Sequence, residues 1–237
     1  MRVTSSSGRL DRPRSRGVSE PVNVYEVTGL GPLRTRLQRA AARGYTKFVG
    51  RDQETAALRR AAEQAKAGHG EILSVMAEPG VGKSRLLVEF KVVSQSGWMV
   101  LEAASVSHGN ASAFLPVIDL LHSYFAIKPE DDARKCLEKI TGRVLALDRS
   151  LEYVLPYLLS LLGLNEPSSS VTEVEPQTRK RRSLDAVRRI LLRESLNQPL
   201  LVIVEDLHWI DGETQAFLNA CQQSRHRPDF VAGYLSP

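Results

Sequence analysis

The sequence predicts a layered α/β fold in which a parallel sheet carries a helical insertion. Three apolar runs, "EILSVMA", "WMVLEAAS" and "PLLVIVE", alternate with segments of helical periodicity. This alternation favours parallel strands, because the helices between them return the chain along the sheet. The runs lack polar alternation, as expected for strands covered on both faces. Ligands of such sheets bind at the carboxyl ends of the strands, so the residues after each run are the candidate site.

The predicted elements follow in regular order from Phe48. Strands are predicted over residues 71–77, 98–105 and 200–204. Helices are predicted over residues 52–67, 83–93, 114–125, 130–145, 150–162, 180–195 and 212–222. Asp211 precedes the last helix and is expected to cap it.

Composition and charge separate the first part of the chain from the rest. Residues 1–22 are rich in Ser, Arg, Gly and Pro and are expected to be a disordered basic tail, because they bury too little apolar surface. Residues 23–47 are interpreted as a linker with a short strand near Tyr25, and 48–237 as one domain. The whole chain has a net charge of +5. Residues 1–47 contain ten Lys or Arg and three Asp or Glu, which gives a net charge of +7. Residues 48–237 therefore have a net charge of −2.

This distribution makes nucleic-acid binding the last-ranked hypothesis, since the excess charge lies in the tail. The arginines of residues 179–193 are expected on a solvated helix face, because Leu184, Val187 and Leu191 have helical spacing. No apolar run reaches the length of a membrane span, and no signal peptide is recognised. Cys136 and Cys221 have no metal spacing and are expected to be buried, reduced thiols of a cytoplasmic protein.

The first strand exit, "AEPGVGKSR", has the features of a phosphate-binding loop. Gly80 and Gly82 allow the backbone to curl around an anion, with N–H groups pointing inward. The helix that begins at Lys83 adds the positive end of its dipole. Lys83 is expected to reach the β- and γ-phosphates of a nucleotide, and Ser84 to offer its hydroxyl to Mg²⁺. A glycine-rich turn without a ligand is the less favoured alternative.

The residues around this core complete the predicted nucleotide site. Ala77 stands where the usual pattern has glycine, but it lies upstream of the anion nest, where a small side chain matters more than a positive φ. The segment "FVGR" before the first helix is expected to pack near the adenine. Besides Gly80, Gly82, Lys83 and Ser84, the predicted nucleotide-binding residues are Val49, Gly50, Arg51, Glu78, Pro79, Val81 and Arg85.

The second strand exit, "EDLHW", supplies two adjacent carboxylates. Glu205 is predicted to hold Mg²⁺ opposite Ser84, and Asp206 to orient or deprotonate the attacking water. The assignment of these two roles rests on their order alone and stays open. Together with Lys83, they are the predicted catalytic residues. Trp209, which follows, is expected in the core.

The segments "FVGRDQE", "AEPGVGKSR", "FLPVIDLL" and "VIVEDLHWID" together resemble the ATPase module of STAND/AAA-type signal-transduction ATPases. The similarity covers residues 20–220 and is closest to the form linked to class III adenylate/guanylate cyclase domains in bacterial regulators. It implies the three-layer P-loop NTPase fold, ATP and Mg²⁺ as ligands, and a regulated protein partner or self-association. The family pattern accepts alanine at the position of Ala77.

Two departures limit what the resemblance implies. Nothing upstream of Glu20 resembles a cyclase catalytic domain, so no cyclic-nucleotide synthesis is expected. The ending, "CQQSRHRPDFVAGYLSP", does not resemble the apolar strand that the family places next, and we expect a sheet incomplete at its C-terminal end, from a truncated or frame-shifted gene. Two hypotheses follow: an ATPase that hydrolyses ATP slowly to ADP and phosphate, or a non-catalytic nucleotide-binding fragment without sensor residues.

Overall fold

The computed structural model describes residues 5–9, 25–30, 48–78, 80–94, 97–105, 113–164, 171, 173–222 and 230–236. The chain divides into two compact units, Met1–Val49 and Gly50–Pro237. In the first unit, β1 (Ser5–Arg9) pairs antiparallel with β2 (Tyr25–Leu30). β1 lies within residues 1–22, where composition predicts a disordered tail. A strand pair satisfies backbone groups without needing an apolar run, so composition does not signal it.

The second unit begins with a helix and alternates strands with helices. Its strands are β3 (Glu71–Met76), β4 (Met99–Ala104), β5 (Leu200–Glu205) and β6 (Phe230–Ser236). Its α-helices are α1 (Asp52–Lys66), α2 (Lys83–Ser94), α3 (Leu115–Tyr124), α4 (Ala133–Leu147), α5 (Leu155–Leu161), α6 (Pro176–Ser195) and α7 (Gly212–Gln222). Two 3₁₀ turns, Arg149–Val154 and Leu207–Trp209, precede α5 and α7. None of the described helices is long and apolar enough to cross a membrane.

Four parallel strands form the sheet in the order β3-β6-β5-β4. β6 comes from the ending that we did not expect to form a strand, and it occupies the position between β3 and β5. Its residues 230–236, "FVAGYLS", are mostly apolar and pair with both neighbours, as an inner strand of a covered sheet requires. The expectation of a strandless ending is therefore corrected.

The core is built on β5 and the helices that flank it. All six residues of β5 are buried, so both faces of the strand are covered as its apolar run predicted. α3 contacts β4, and α6 contacts β5. The residues between β4 and β5 form the helical insertion, whose apolar faces join the same core cluster. Cys136 and Cys221 are both free and buried, as predicted.

Two predicted helices begin at other residues in the structure, and in both the observed helix has proline in its first turn. The helix expected over 180–195 begins at Pro176, because the Glu175 carboxylate accepts from the backbone N–H of Gln177 and Thr178 at 3.0 and 2.8 Å. The helix expected over 150–162 is a 3₁₀ turn followed by α5, which has proline in its first turn. Proline lacks the N–H that a continuous helix would require there.

The arginine-rich face of α6 is solvated and largely paired. Arg188 and Arg189 reach Asp185, while Arg193 reaches Asp148 at 2.8 Å. The opposite face buries Val187, Ile190 and Leu191, among others. This confirms the amphipathic prediction.

Candidate functional site

The loop between β3 and α2 has the backbone of an anion nest. Gly80 and Gly82 have φ angles of 86° and 91°. A Cβ at either position would meet nothing within 4 Å, so glycine is required by the backbone angle and not by crowding. α2 then begins at Lys83, which directs the N-terminus of the helix towards the loop.

Ala77 has a φ outside the left-handed region, unlike the two glycines. An alanine side chain therefore causes no backbone strain at this position. The prediction that its methyl group matters less than the downstream glycines agrees with this geometry. Pro79, the other predicted residue of this stretch, lies outside the described residues.

The Lys83 ammonium group folds back over the start of the loop. It donates to the carbonyl oxygen of Ala77, and to that of Glu78 at 3.1 Å. These neutral oxygens are weaker partners for a cation than phosphate oxygens. The ammonium group is thus held beside the nest by bonds that a phosphate can replace.

Of the segment "FVGR", Arg51 contacts the loop. Arg51 Nη2 donates to the carbonyl oxygen of Val81 at 2.9 Å, and Arg51 Nη1 to Glu54 Oε1 at 2.7 Å. Gly50 and Arg51 both have positive φ angles, 72° and 62°. Val49 belongs to the N-terminal unit, and its side chain is 72% exposed. Sequence reasoning placed this segment near the adenine and missed the bond from Arg51 to the loop.

Of the predicted residues on α2, Ser84 is partly buried in the first turn. Arg85 is also partly buried and forms an ion pair with Glu89, one turn further along the same helix, at 2.6 Å. Its guanidinium is therefore directed along α2, and a contact with nucleotide would compete with this pair.

The second strand exit lies level with the first. Tyr234 of β6 is paired with Ser74 of β3 on one side and with Val204 of β5 on the other. Because one strand separates β3 from β5, the two exits are about 10 Å apart, twice the usual strand spacing. The loop and the two carboxylates are therefore on one edge of the sheet.

The two carboxylates of this exit have different surroundings. Glu205 ends β5 and is 2% exposed, whereas Asp206 is partly exposed. Asp206 has φ 58° and ψ 47°, a left-handed conformation that Asp tolerates better than most residues. This turn changes the chain direction immediately after Glu205, so the adjacent side chains face different environments. Trp209 is 38% exposed, and the expectation that it lies in the core is wrong.

Asp211 fixes the segment that follows the second exit. Its carboxylate accepts from the backbone N–H of Thr214 at 2.9 Å and from that of Phe114 at 3.3 Å, which joins the starts of α7 and α3. Burial alone would raise the pKa of Asp211, but the hydrogen bonds from Thr214 and Phe114 outweigh it and lower the pKa. The predicted cap is confirmed, and the link to α3 is an addition.

The oxygen donors at this edge fit Mg²⁺. Among the residues that the structure describes, no group of three or more His, Cys, Asp or Glu could hold a metal ion alone. Mg²⁺ binds through one or two protein oxygens together with substrate phosphates and water, and does not need such a cluster. Ser84 and Glu205 supply oxygens of the required kind.

Comparison with models of protein families matches residues 47–231 to the model described as "AAA ATPase domain". The matched region contains both strand exits and all of the second unit up to the start of β6. No curated protein matches the chain.

Proposed function

The chain belongs to the AAA ATPase domain family, and from this we propose that it binds Mg-ATP at the carboxyl edge of its sheet and hydrolyses it slowly to ADP and phosphate. The observation that carries the proposal is that the carboxyl ends of β3 and β5 lie at the same edge of the sheet. An anion nest follows β3, and two carboxylates follow the apolar run of β5. The nest and the N-terminus of α2 suit the β- and γ-phosphates.

Four residues of the chain have a proposed part in this reaction. Lys83 exchanges the carbonyl oxygens of Ala77 and Glu78 for phosphate oxygens and stabilises negative charge there. Ser84 and Glu205 are the proposed ligands of Mg²⁺, which would neutralise charge on the phosphates when bound. Asp206 is the proposed group that orients the attacking water, since it is the more exposed of the two carboxylates.

The expected biological role is a nucleotide-dependent switch in a regulator, in which ATP and ADP favour different conformations. The resemblance to cyclase-linked regulators supports this role. Arg188, Arg189 and Arg193 of α6 are paired with aspartates, which weakens the alternative of a nucleic-acid-binding helix. A cytoplasmic location is supported by the two free cysteines. A protein partner or self-association is also proposed.

Binding and phosphate release by purified protein test the proposal. Calorimetric titration with ATP and ADP should show Mg²⁺-dependent binding, and Lys83→Ala should weaken it by about tenfold to a hundredfold, the size of one to two charged hydrogen bonds. Lys128→Ala, at an exposed position in the insertion, is the matched control and should bind like the wild type. Binding without phosphate release would favour the non-catalytic alternative, whereas absence of binding would refute both.

A further inference from the structure

We propose that Arg51 is a positioning residue that holds the Gly82 N–H in its phosphate-binding direction through the carbonyl of Val81. This inference rests on the proposed nucleotide binding at the same loop. It differs from the expected role of the "FVGR" segment, which was contact with the adenine. It starts from a hydrogen bond of 2.9 Å between residues 30 positions apart, Arg51 Nη2 to Val81 O.

The planarity of the peptide bond connects this contact to the nest. The Val81 carbonyl and the Gly82 N–H belong to one trans peptide group, so they point in opposite directions. A guanidinium that holds the carbonyl outward therefore holds the N–H inward. The restraint is needed because this peptide group rotates about φ of Gly82, where the absence of a Cβ leaves few steric barriers.

The Arg51 guanidinium is held in place by two hydrogen bonds, one to Val81 and one to Glu54. Its Nη1 donates to Glu54 in the first turn of α1 at 2.7 Å, and this bond is the main reason that the pKa of Glu54 is lowered. Its backbone has φ 62° and ψ 29°, which is unfavourable for a residue other than glycine, asparagine or aspartate. Such a conformation persists where surrounding contacts determine it, and the two hydrogen bonds of the guanidinium supply those contacts.

Arg51 and Lys83 thus hold the loop in different ways. Lys83 bonds the carbonyls of Ala77 and Glu78 and must release them to reach phosphate. Arg51 bonds a carbonyl on the outer side of its peptide group and need not move when a nucleotide binds. Because the Gly82 N–H would serve a phosphate common to both nucleotides, loss of Arg51 should weaken ADP and ATP by the same factor.

The test combines nucleotide affinity with the mobility of the loop in nucleotide-free protein. Arg51→Ala should bind ADP and ATP about threefold to tenfold more weakly, as expected for one partly exposed hydrogen bond to a charged group. Arg51→Lys, which keeps a charged donor but not the fork that reaches Glu54, should fall between Arg51→Ala and wild type. In protein labelled with ¹⁵N-glycine, the Gly82 amide of Arg51→Ala should show increased motion or exchange broadening. Arg59→Ala, at an exposed position of α1, should change neither measurement.

Three results would overturn the inference. The first is an unchanged mobility of the Gly82 amide in Arg51→Ala. The others are a larger loss of affinity for ATP than for ADP and a full recovery of affinity in Arg51→Lys, both of which would indicate a simple charge effect on the phosphates. Thermal unfolding of each variant excludes general destabilisation, and Glu54→Gln provides a second, milder variant that loosens the same guanidinium. If wild-type protein binds no nucleotide, the proposed function fails, but the amide measurement still decides whether Arg51 orders the loop.

Discussion

The ammonium group of Lys83 donates to the backbone carbonyl oxygen of Ala77, six residues earlier. Residue 77 therefore contributes to the loop through its main chain, and alanine offers the same oxygen that glycine would. Its φ lies outside the left-handed region, so the Cβ is accommodated without strain. The departure from the usual glycine pattern has no structural consequence that would prevent phosphate binding.

The first prediction is that Ala77→Gly leaves nucleotide affinity within about twofold of wild type. The free energy of unfolding should fall by about 0.4–1 kcal/mol, because glycine increases the conformational entropy of the unfolded chain. Calorimetric titration and urea unfolding measure the two quantities. A variant that binds nucleotide tenfold more tightly would show that the methyl group does obstruct the loop.

The second prediction separates the two carboxylates at the end of β5. Asp206→Asn should keep Mg-ATP binding and lose phosphate release by about a hundredfold or more, the usual contribution of a group that positions or deprotonates the nucleophile. Asparagine tolerates the left-handed conformation of residue 206 as aspartate does, so the backbone is preserved. Glu205→Gln should instead reduce the effect of Mg²⁺ on nucleotide affinity.

The comparison of the two variants tests the proposed division of roles. Titrations with ATP in the presence of Mg²⁺ and of EDTA, together with a phosphate-release assay, give the required data. If Asp206→Asn removes the Mg²⁺ dependence and Glu205→Gln does not, the two roles are exchanged.

The sequence was sufficient where a local pattern determines the backbone. The apolar run of β5, the glycines before α2 and the Asp211 cap each specify their element through nearby residues, and all three were predicted. β6 was missed although "FVAGYL" is apolar apart from Gly233, because so short a run does not show by itself which strands it pairs with. The bond from Arg51 to Val81 was also missed. It depends on how α1 lies beside the loop between β3 and α2, and the sequence of "FVGR" does not specify this arrangement.

Glu194 of α6 shows a further limit, because nothing in the sequence marks one charged residue of this helix as buried. It is 3% exposed and accepts hydrogen bonds from Tyr124 Oη at 2.7 Å, Gln198 Nε2 at 2.8 Å and Arg143 Nη2 at 3.2 Å. Burial, followed by the bond to Glu194, raises the pKa of Tyr124, so the phenol remains a donor. These contacts join α3, α4 and α6.

The third prediction is that Glu194→Ala lowers the free energy of unfolding by about 2–3 kcal/mol, because it leaves the hydroxyl of buried Tyr124 without an acceptor. Tyr124→Phe should lose about 1–1.5 kcal/mol, since one hydrogen bond is removed and the ring remains. Urea unfolding measures both. Tyr153→Phe, at a tyrosine that is 56% exposed, is the control and should be close to neutral. Equal losses for Tyr124→Phe and Tyr153→Phe would contradict a role for this network.

The fourth prediction concerns acid stability and rests on Asp148, at the end of α4. Its carboxylate accepts from Arg193 Nε at 2.8 Å and from the Ser150 N–H at 2.9 Å. These hydrogen bonds, that from Arg193 first, lower the pKa of Asp148 to about 2. The ordinary value of an aspartate in an unfolded chain is about 3.9. The folded state therefore favours the ionised form, and the contribution of this group to stability is complete above the unfolded pKa.

That contribution should shrink as the pH falls from about 4 to about 2 and disappear below the folded pKa, where the carboxylate is protonated in both states. The difference in free energy of unfolding between wild type and Asp148→Asn should be constant above about pH 5 and should shrink through this interval. Urea titrations at a series of pH values measure it, with Glu152→Gln, at an exposed position nearby, as the control that should show no such trend. Using the difference cancels the protonation of other carboxylates, which also lowers the stability of wild type in acid. A difference that persists unchanged at pH 2 would show that the charge of Asp148 is unimportant and that its hydrogen-bond geometry alone stabilises the junction of α4 and α6.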